Sequence, residues 1–136
     1  MTDLDEPRLP PAHVFGGMAP LIVATASADG VPNVTYLSKA FVVDDRRIAL
    51  SDQFFSKTLR NLAENPRASV LVQDADTGQD WRLTLVHERT ERRGPVFEAM
   101  RSEIETIAAM TGMGDVFKLR AAQIYRVEAV EDATGR

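Results

Sequence analysis

The sequence has no cysteine, two histidines and one tryptophan among its 136 residues. Without cysteine there can be no thiol nucleophile, thiolate metal site or disulfide bond, and a reducing compartment is indicated. His13 and His87 belong to no recognisable nucleophile motif, and no spacing of histidines and acids is typical of a metal site. We therefore expect no catalytic triad and no bound metal.

Long apolar runs and clusters of basic residues are missing as well. No stretch approaches the roughly 18 apolar residues that span a bilayer, and Met1 to Pro11 does not resemble a secretory signal. The net charge is -4 and the pI is near 5.2, which argues against a nucleic-acid partner. We expect a cytoplasmic protein in which an anionic ligand is bound by individual lysines and not by a broad basic surface.

The length of the chain supports one domain with a single core. Residues 1–13 are acidic, rich in proline and without a hydrophobic period, which predicts a flexible N-terminal arm. Residues 14–136 are then the single folded domain.

Apolar, β-branched segments separated by turn signals predict strands at 21–26, 32–43, 48–50, 68–73, 81–86 and 123–130. Helical spacing predicts a short helix that Ser56 opens and a longer one from Pro95 that Gly112 ends. Consecutive hairpins leave no room for the crossover segments that parallel strands require. The fold class is therefore mainly β, an antiparallel barrel with flanking helices.

The segment from Ser51 to Asn61 leads from a strand end into a helix start. Ser56, Lys57 and Thr58 occupy the cap and first helical positions, where free backbone N–H groups and the helix dipole favour an anion. A lysine in this turn is unfavourable against the dipole unless an anion offsets it. The alternative is that Ser56 is an ordinary N-cap and Lys57 a solvated surface residue.

Lys39 interrupts an otherwise apolar segment, Tyr36 to Val42, which we interpret as strand. A charged residue there needs solvent or a partner. It either points outward at a sheet edge or contacts a ligand, and both alternatives remain open.

The order of these features resembles the pyridoxamine 5'-phosphate oxidase-like family over roughly residues 18–92. The matching pieces are Val23-Ala24-Thr25, Asp29-Gly30-Val31-Pro32, Ser56-Lys57 with Asn61-Leu62, and Glu64-Asn65-Pro66-Arg67. The resemblance implies a six-stranded antiparallel split β-barrel. It also implies a homodimer with two FMN sites at the subunit interface, to which each chain contributes half.

The resemblance further implies roles for individual residues. The strand matching Asn33 to Lys39 runs beside the isoalloxazine ring, and Ser51 and Asp52 match a strand end that faces the cofactor. Ser56 and Lys57 match residues that hold the phosphate, and we expect Thr58 of the same turn to join them.

This sequence departs from the true oxidase at several positions. The oxidase has an arginine near Val34, a second basic residue at Thr58 and an arginine and histidine motif near its C-terminus, none of which is present here. We therefore expect an FMN-dependent oxidoreductase acting on another small molecule. The alternatives are a non-catalytic flavin carrier or sensor and a deazaflavin-dependent reductase.

Overall fold

The computed structural model describes residues 7–16, 19–37, 39–52, 56–111 and 119–135. For residues 52, 56–59, 107 and 111 only the backbone is described. In chain order the elements are a 3-10 helix Ala12–Phe15, β1 Leu21–Ala26, β2 Pro32–Leu37, β3 Phe41–Asp44, β4 Arg47–Asp52, α1 Ser56–Glu64, β5 Arg67–Gln73, β6 Asp80–Glu91, α2 Pro95–Thr111 and β7 Ala121–Asp132. The mainly-β class and both predicted helices are confirmed.

The seven described strands form one antiparallel sheet in the order β2-β1-β5-β6-β7-β4-β3. β2 and β3 follow one another in the chain, yet they lie at opposite edges of this sheet. The four steps from Leu37 to Phe41 span at most about 14 Å. The two edges therefore approach each other here, and the sheet is curled into a barrel that stays split between β2 and β3.

The strand count is seven, where the resemblance implied six. The predicted continuous strand 32–43 is wrong, because the chain leaves the sheet after Leu37 and returns at Phe41. Ala40 is buried in this link, and its N–H donates to the carbonyl oxygen of Phe15 at 3.1 Å. Lys39 thus lies in the link between two edges and not within a strand.

Two apolar cores form on the two faces of the sheet. Inside the barrel, alternate strand residues pack together with residues of the 3-10 helix, among them Phe15, Leu21, Val23, Ile48, Leu50, Val70, Leu83, Leu85 and Tyr125. Outside, Phe97 and Met100 of α2 pack on a second cluster that includes Ala49, Ala122 and Ile124. The sheet is thus covered by α2 on the β4–β7 side.

The described part of the predicted arm, residues 7–13, contacts the barrel. Leu9 packs against the inner core, and Pro10 is buried. Nε2 of His13 lies 3.0 Å from Oδ2 of Asp74, in the turn between β5 and β6. This part of the arm is docked, and the division of the chain at residue 13 stays a prediction.

The hydrogen bond from His13, together with one from the backbone N–H of Asp76, holds the pKa of Asp74 below its usual value. A carboxyl group whose pKa is lowered on folding stabilises the protein above the pKa of the unfolded chain, about 3.9. That contribution is lost as the pH falls through the lower, folded pKa.

Asp74→Asn should therefore lower the melting temperature near neutral pH, and the difference from the parent protein should close as the pH falls below about 3.9 and through the lower pKa of the folded state. The asparagine keeps an oxygen for the N–H of Asp76, which Oδ1 of Asp74 accepts at 2.9 Å. Thermal melts followed by circular dichroism across this range measure the effect. Asp76→Asn is the control, since it removes a charge from the same turn but leaves the contact with His13; a difference that persists at every pH would contradict the assignment.

Candidate functional site

The predicted anion site falls where β4 ends at Asp52 and α1 begins at Ser56. Ser56, Lys57 and Thr58 form the first turn of this helix, whose first N–H groups have no acceptor within the helix. Ser56 is the first residue of this helix, and its role as the N-cap stays a prediction because the preceding residue, Phe55, lies outside the described residues. The side chains of Asp52, Ser56, Lys57 and Thr58 also lie outside the described part, and their roles stay predictions.

A buried hydrogen bond fixes α1 against the barrel. Nδ2 of Asn61 donates to Oγ1 of Thr25 at 3.1 Å, and these residues are only 3% and 5% exposed. Leu62 packs into the inner core beside them, and Oε1 of Glu64 accepts the N–H of Ala28 at 2.7 Å. These contacts hold the helix on β1 and so position its first turn.

A second set of hydrogen-bonded side chains lies between β6 and β7. Oε1 of Gln123, which is 1% exposed, accepts hydrogen bonds from Nε2 of His87 and Oγ1 of Thr90, both at 2.7 Å. The His87 ring also meets Tyr125 edge to face, with centroids 5.3 Å apart. His87 is thus a partly buried residue of β6 with a structural partner, Gln123, that the sequence did not indicate.

The open end of the β3–β4 hairpin gathers two of the predicted site residues. Phe41 pairs with Ala49. Lys39 and Ser51 therefore each lie two residues beyond this pair, Lys39 before β3 and Ser51 within β4. Ser51 is buried and pairs with Ala122 of β7. The structure therefore brings Lys39 and Ser51 to the end of the hairpin from which the chain continues to α1.

The charge of Lys39 is neutralised by another residue of the protein. Its side chain is 16% exposed, its ammonium group pairs with the Glu103 carboxylate of α2, and it lies 4.9 Å from the centre of the Phe41 ring. Neither alternative considered for Lys39 included this partner. No local pattern in the sequence indicated this partner, because Glu103 is an exposed residue of α2 that lies 64 positions from Lys39.

Lys39 and Glu103 line a cleft of about 510 Å³ between the 3-10 helix, β3 and α2. Its remaining walls are mainly apolar and include Phe15, Phe41, Val43, Val96 and Met100. Pockets for small molecules usually measure about 300–1,000 Å³ and have mostly apolar walls with a few polar groups. The cleft therefore has the size and lining of a small-molecule site.

An exposed apolar surface lies on the outer face of β2. Val34 and Tyr36 are 62% and 69% exposed, and they pair with Ala24 and Ile22 of β1. Leu71 of β5 pairs with Ile22 and continues this surface. We call the face formed by these five residues the β2 face.

Two further observations bear on the class of protein. Among the described helices, none has the length and apolar composition needed to cross a membrane. In the same part of the chain, the histidines and acids form no group of three that could hold a metal ion.

A curled antiparallel sheet with one helix against β1 and another over β4 and β7 defines the class of small split-barrel proteins. The sequence model of the pyridoxamine 5'-phosphate oxidase family matches residues 18–128. The chain belongs to this family, and the match includes β4, α1 and the cleft residues of β3 and α2.

One curated relative is an uncharacterized protein of Methanocaldococcus jannaschii, 40% identical over 52 residues. The aligned stretch covers 37% of this chain and 35% of that protein.

Solved structures with the same fold bind different groups, as their names state. An FMN-binding protein from Syntrophomonas wolfei subsp. wolfei superposes with a TM-score of 0.75 at 14% identity, over 88% of this chain and 80% of the other. An F420 reductase has a TM-score of 0.61 at 15% identity, over 90% and 98%. The heme storage protein HutZ from Vibrio cholerae has a TM-score of 0.60 at 18% identity, over 90% and 92%. At these identities the likeness shows the fold alone.

Asn61→Ala should destabilise the protein by about 1–3 kcal/mol, because it leaves the buried hydroxyl of Thr25 without its donor. Urea unfolding of Asn61→Ala, Thr25→Val and the double variant measures the interaction as a double-mutant cycle. The double variant should lose less than the sum of the two single losses, and an additive result would show that the bond does not hold α1 on β1.

Proposed function

We propose that the protein binds FMN and uses it for a redox reaction on a small organic molecule. The observation that carries the proposal is the β4–α1 junction, where a helix begins with Ser56, Lys57 and Thr58 inside the region that matches the family. An FMN phosphate needs a cluster of hydrogen-bond donors with a positive charge, which this turn offers through its backbone N–H groups, two hydroxyls and one ammonium group.

The backbone and side chains of β2 also suit the flavin ring that the resemblance places beside this strand. β2 is an edge strand, so part of its backbone N–H and C=O groups has no strand partner and is available to the polar edge of the ring. Val34 and Tyr36 give the ring an apolar surface. When bound, FMN supplies the electron or hydride transfer, while the protein binds the cofactor, orients it and excludes water.

In this proposal Ser51 and Asp52 face the cofactor from the end of β4, and Ser56, Lys57 and Thr58 hold its phosphate. Lys39 contributes to the cofactor site from the side of the cleft. It is not a phosphate ligand in this proposal, because Glu103 already neutralises its charge.

A deazaflavin cofactor is the second candidate, since an F420 reductase shares this fold. A flavin carrier or sensor without turnover is the third, because the described residues include no obvious catalytic group. The visible spectrum of the purified protein and the mass of the released cofactor distinguish FMN, deazaflavin and heme. Turnover with a nicotinamide donor then separates an enzyme from a carrier.

Lys57→Ala should weaken FMN binding by roughly tenfold to a hundredfold, because a hydrogen bond to a charged group contributes about 1.5–3 kcal/mol. Fluorescence titration of the apoprotein measures this. Riboflavin lacks the phosphate, so its affinity should change little.

Arg60→Ala is the matched control, since it removes the same charge from an exposed position on the same helix, beyond its first turn. An unchanged FMN affinity in Lys57→Ala would contradict the phosphate site. An equal loss for FMN and riboflavin would indicate general damage to the fold.

We also propose that two copies associate through the β2 face. The resemblance implies a homodimer, and an apolar surface around an unpaired sheet edge is costly to leave in water. The paired aromatics Phe54 and Phe55 in the sequence would also be costly to leave in water, but both lie outside the described residues.

Tyr36→Lys should raise the dimer dissociation constant at least about tenfold, because a symmetric interface buries the new charge twice. Light scattering over a dilution series measures the molar mass. Met110→Lys is the control, since Met110 is 82% exposed and lies on α2, away from the β2 face. A parent protein that is monomeric at micromolar concentration would overturn the proposed dimer.

A further inference from the structure

The cleft between β3 and α2 contains a single described ion pair within largely apolar walls. Lys39 provides the positive charge and Glu103 the negative charge, and they are in direct contact. Phe15 and Met100, which also line the cleft, belong to the two apolar cores and are 2% and 1% exposed. The walls are therefore fixed by packing on both sides of the sheet.

The net charge of these cleft residues is zero. An anionic ligand that approached Lys39 would have to displace Glu103 or accept its repulsion at close range, and bringing like charges together is strongly unfavourable. A cationic ligand would meet the opposite problem with Lys39. An uncharged ligand avoids both costs and gains from the apolar walls.

We propose that this cleft binds an uncharged, largely apolar ring compound, and that Glu103 is the residue that excludes anions by neutralising Lys39. Phe41, which is partly exposed, provides aromatic surface for such a ring. The binding itself does not depend on a flavin. That the compound is the substrate rests on the redox function proposed above.

The ion pair and a lone Lys39 would select ligands of different charge. A lone lysine in an apolar cleft attracts carboxylates and phosphates, because its charge is poorly solvated there. Glu103 is 48% exposed on its side chain, so it can be replaced without opening a buried cavity. This makes Glu103 a position at which ligand charge preference can be switched experimentally.

The first experiment tests the cleft with N-phenyl-1-naphthylamine, an uncharged fluorescent ring compound. Ala99 is an exposed α2 residue that lines the cleft, so Ala99→Trp should fill it and weaken binding at least about tenfold. Ala109→Trp is the matched control, because Ala109 is exposed on the same helix and does not line the cleft. Equal binding by both variants would overturn the proposal, since the dye would then be bound elsewhere.

The second experiment tests charge selectivity with 8-anilinonaphthalene-1-sulfonate, which has the same rings and an added sulfonate. Glu103→Gln should strengthen binding of this anion about tenfold and leave the uncharged probe within about twofold. In the double variant Lys39→Met with Glu103→Gln the gain should disappear, because no cation then remains. Melting temperatures of all variants check that each one is folded.

Two outcomes would overturn the role of Glu103: no change in anion binding in Glu103→Gln, or the same gain in the double variant. Failure of the flavin proposal would give different results. The purified protein would release no flavin, and Lys57→Ala would not change the affinity for FMN. The dye measurements need no cofactor, so the two proposals can fail separately.

Discussion

The structure depends on one topological constraint, the short link between β2 and β3. These strands are neighbours in the chain but occupy opposite edges of the sheet, so three residues must bridge the gap between the edges. The bridge is held by the hydrogen bond from Ala40 to Phe15, whose side chain fills the inner core at the same place. Curling of the sheet creates an enclosed interior, and it brings Lys39 to the side of the sheet that α2 covers.

Polar contacts inside this apolar frame fix α1 against β1 and link β6 to β7. Asn61 and Thr25 satisfy each other beneath α1, and Gln123 satisfies His87 and Thr90 between β6 and β7. Buried polar groups are tolerated because each has a partner, and each such bond requires one particular arrangement of its elements. The first turn of α1 is thus positioned by residues that need not touch any ligand.

The family fold is compatible with several ligands, so the individual residues must decide between them. Val34 is exposed and apolar, and the resemblance places an arginine of the true oxidase near this position. The β2 face of this chain is therefore suited to a ring or another protein surface and not to a phosphate. Glu103 neutralises Lys39 in the cleft. In our proposal these differences leave the helix start as the phosphate site and make the neighbouring cleft neutral.

The sequence by itself determined the mainly-β class, the extent of α2 and the family. These follow from local patterns, namely alternation along strands, helical spacing and residues suited to helix ends. The break of the strand 32–43, the docking of Leu9 and the pairing of Lys39 with Glu103 were decided by the tertiary structure alone. Lys39 and Glu103 are 64 residues apart in the chain, and His13 and Asp74 are 61 apart. Such contacts arise only when the sheet has curled, because no local pattern records which distant side chains the closed barrel brings together.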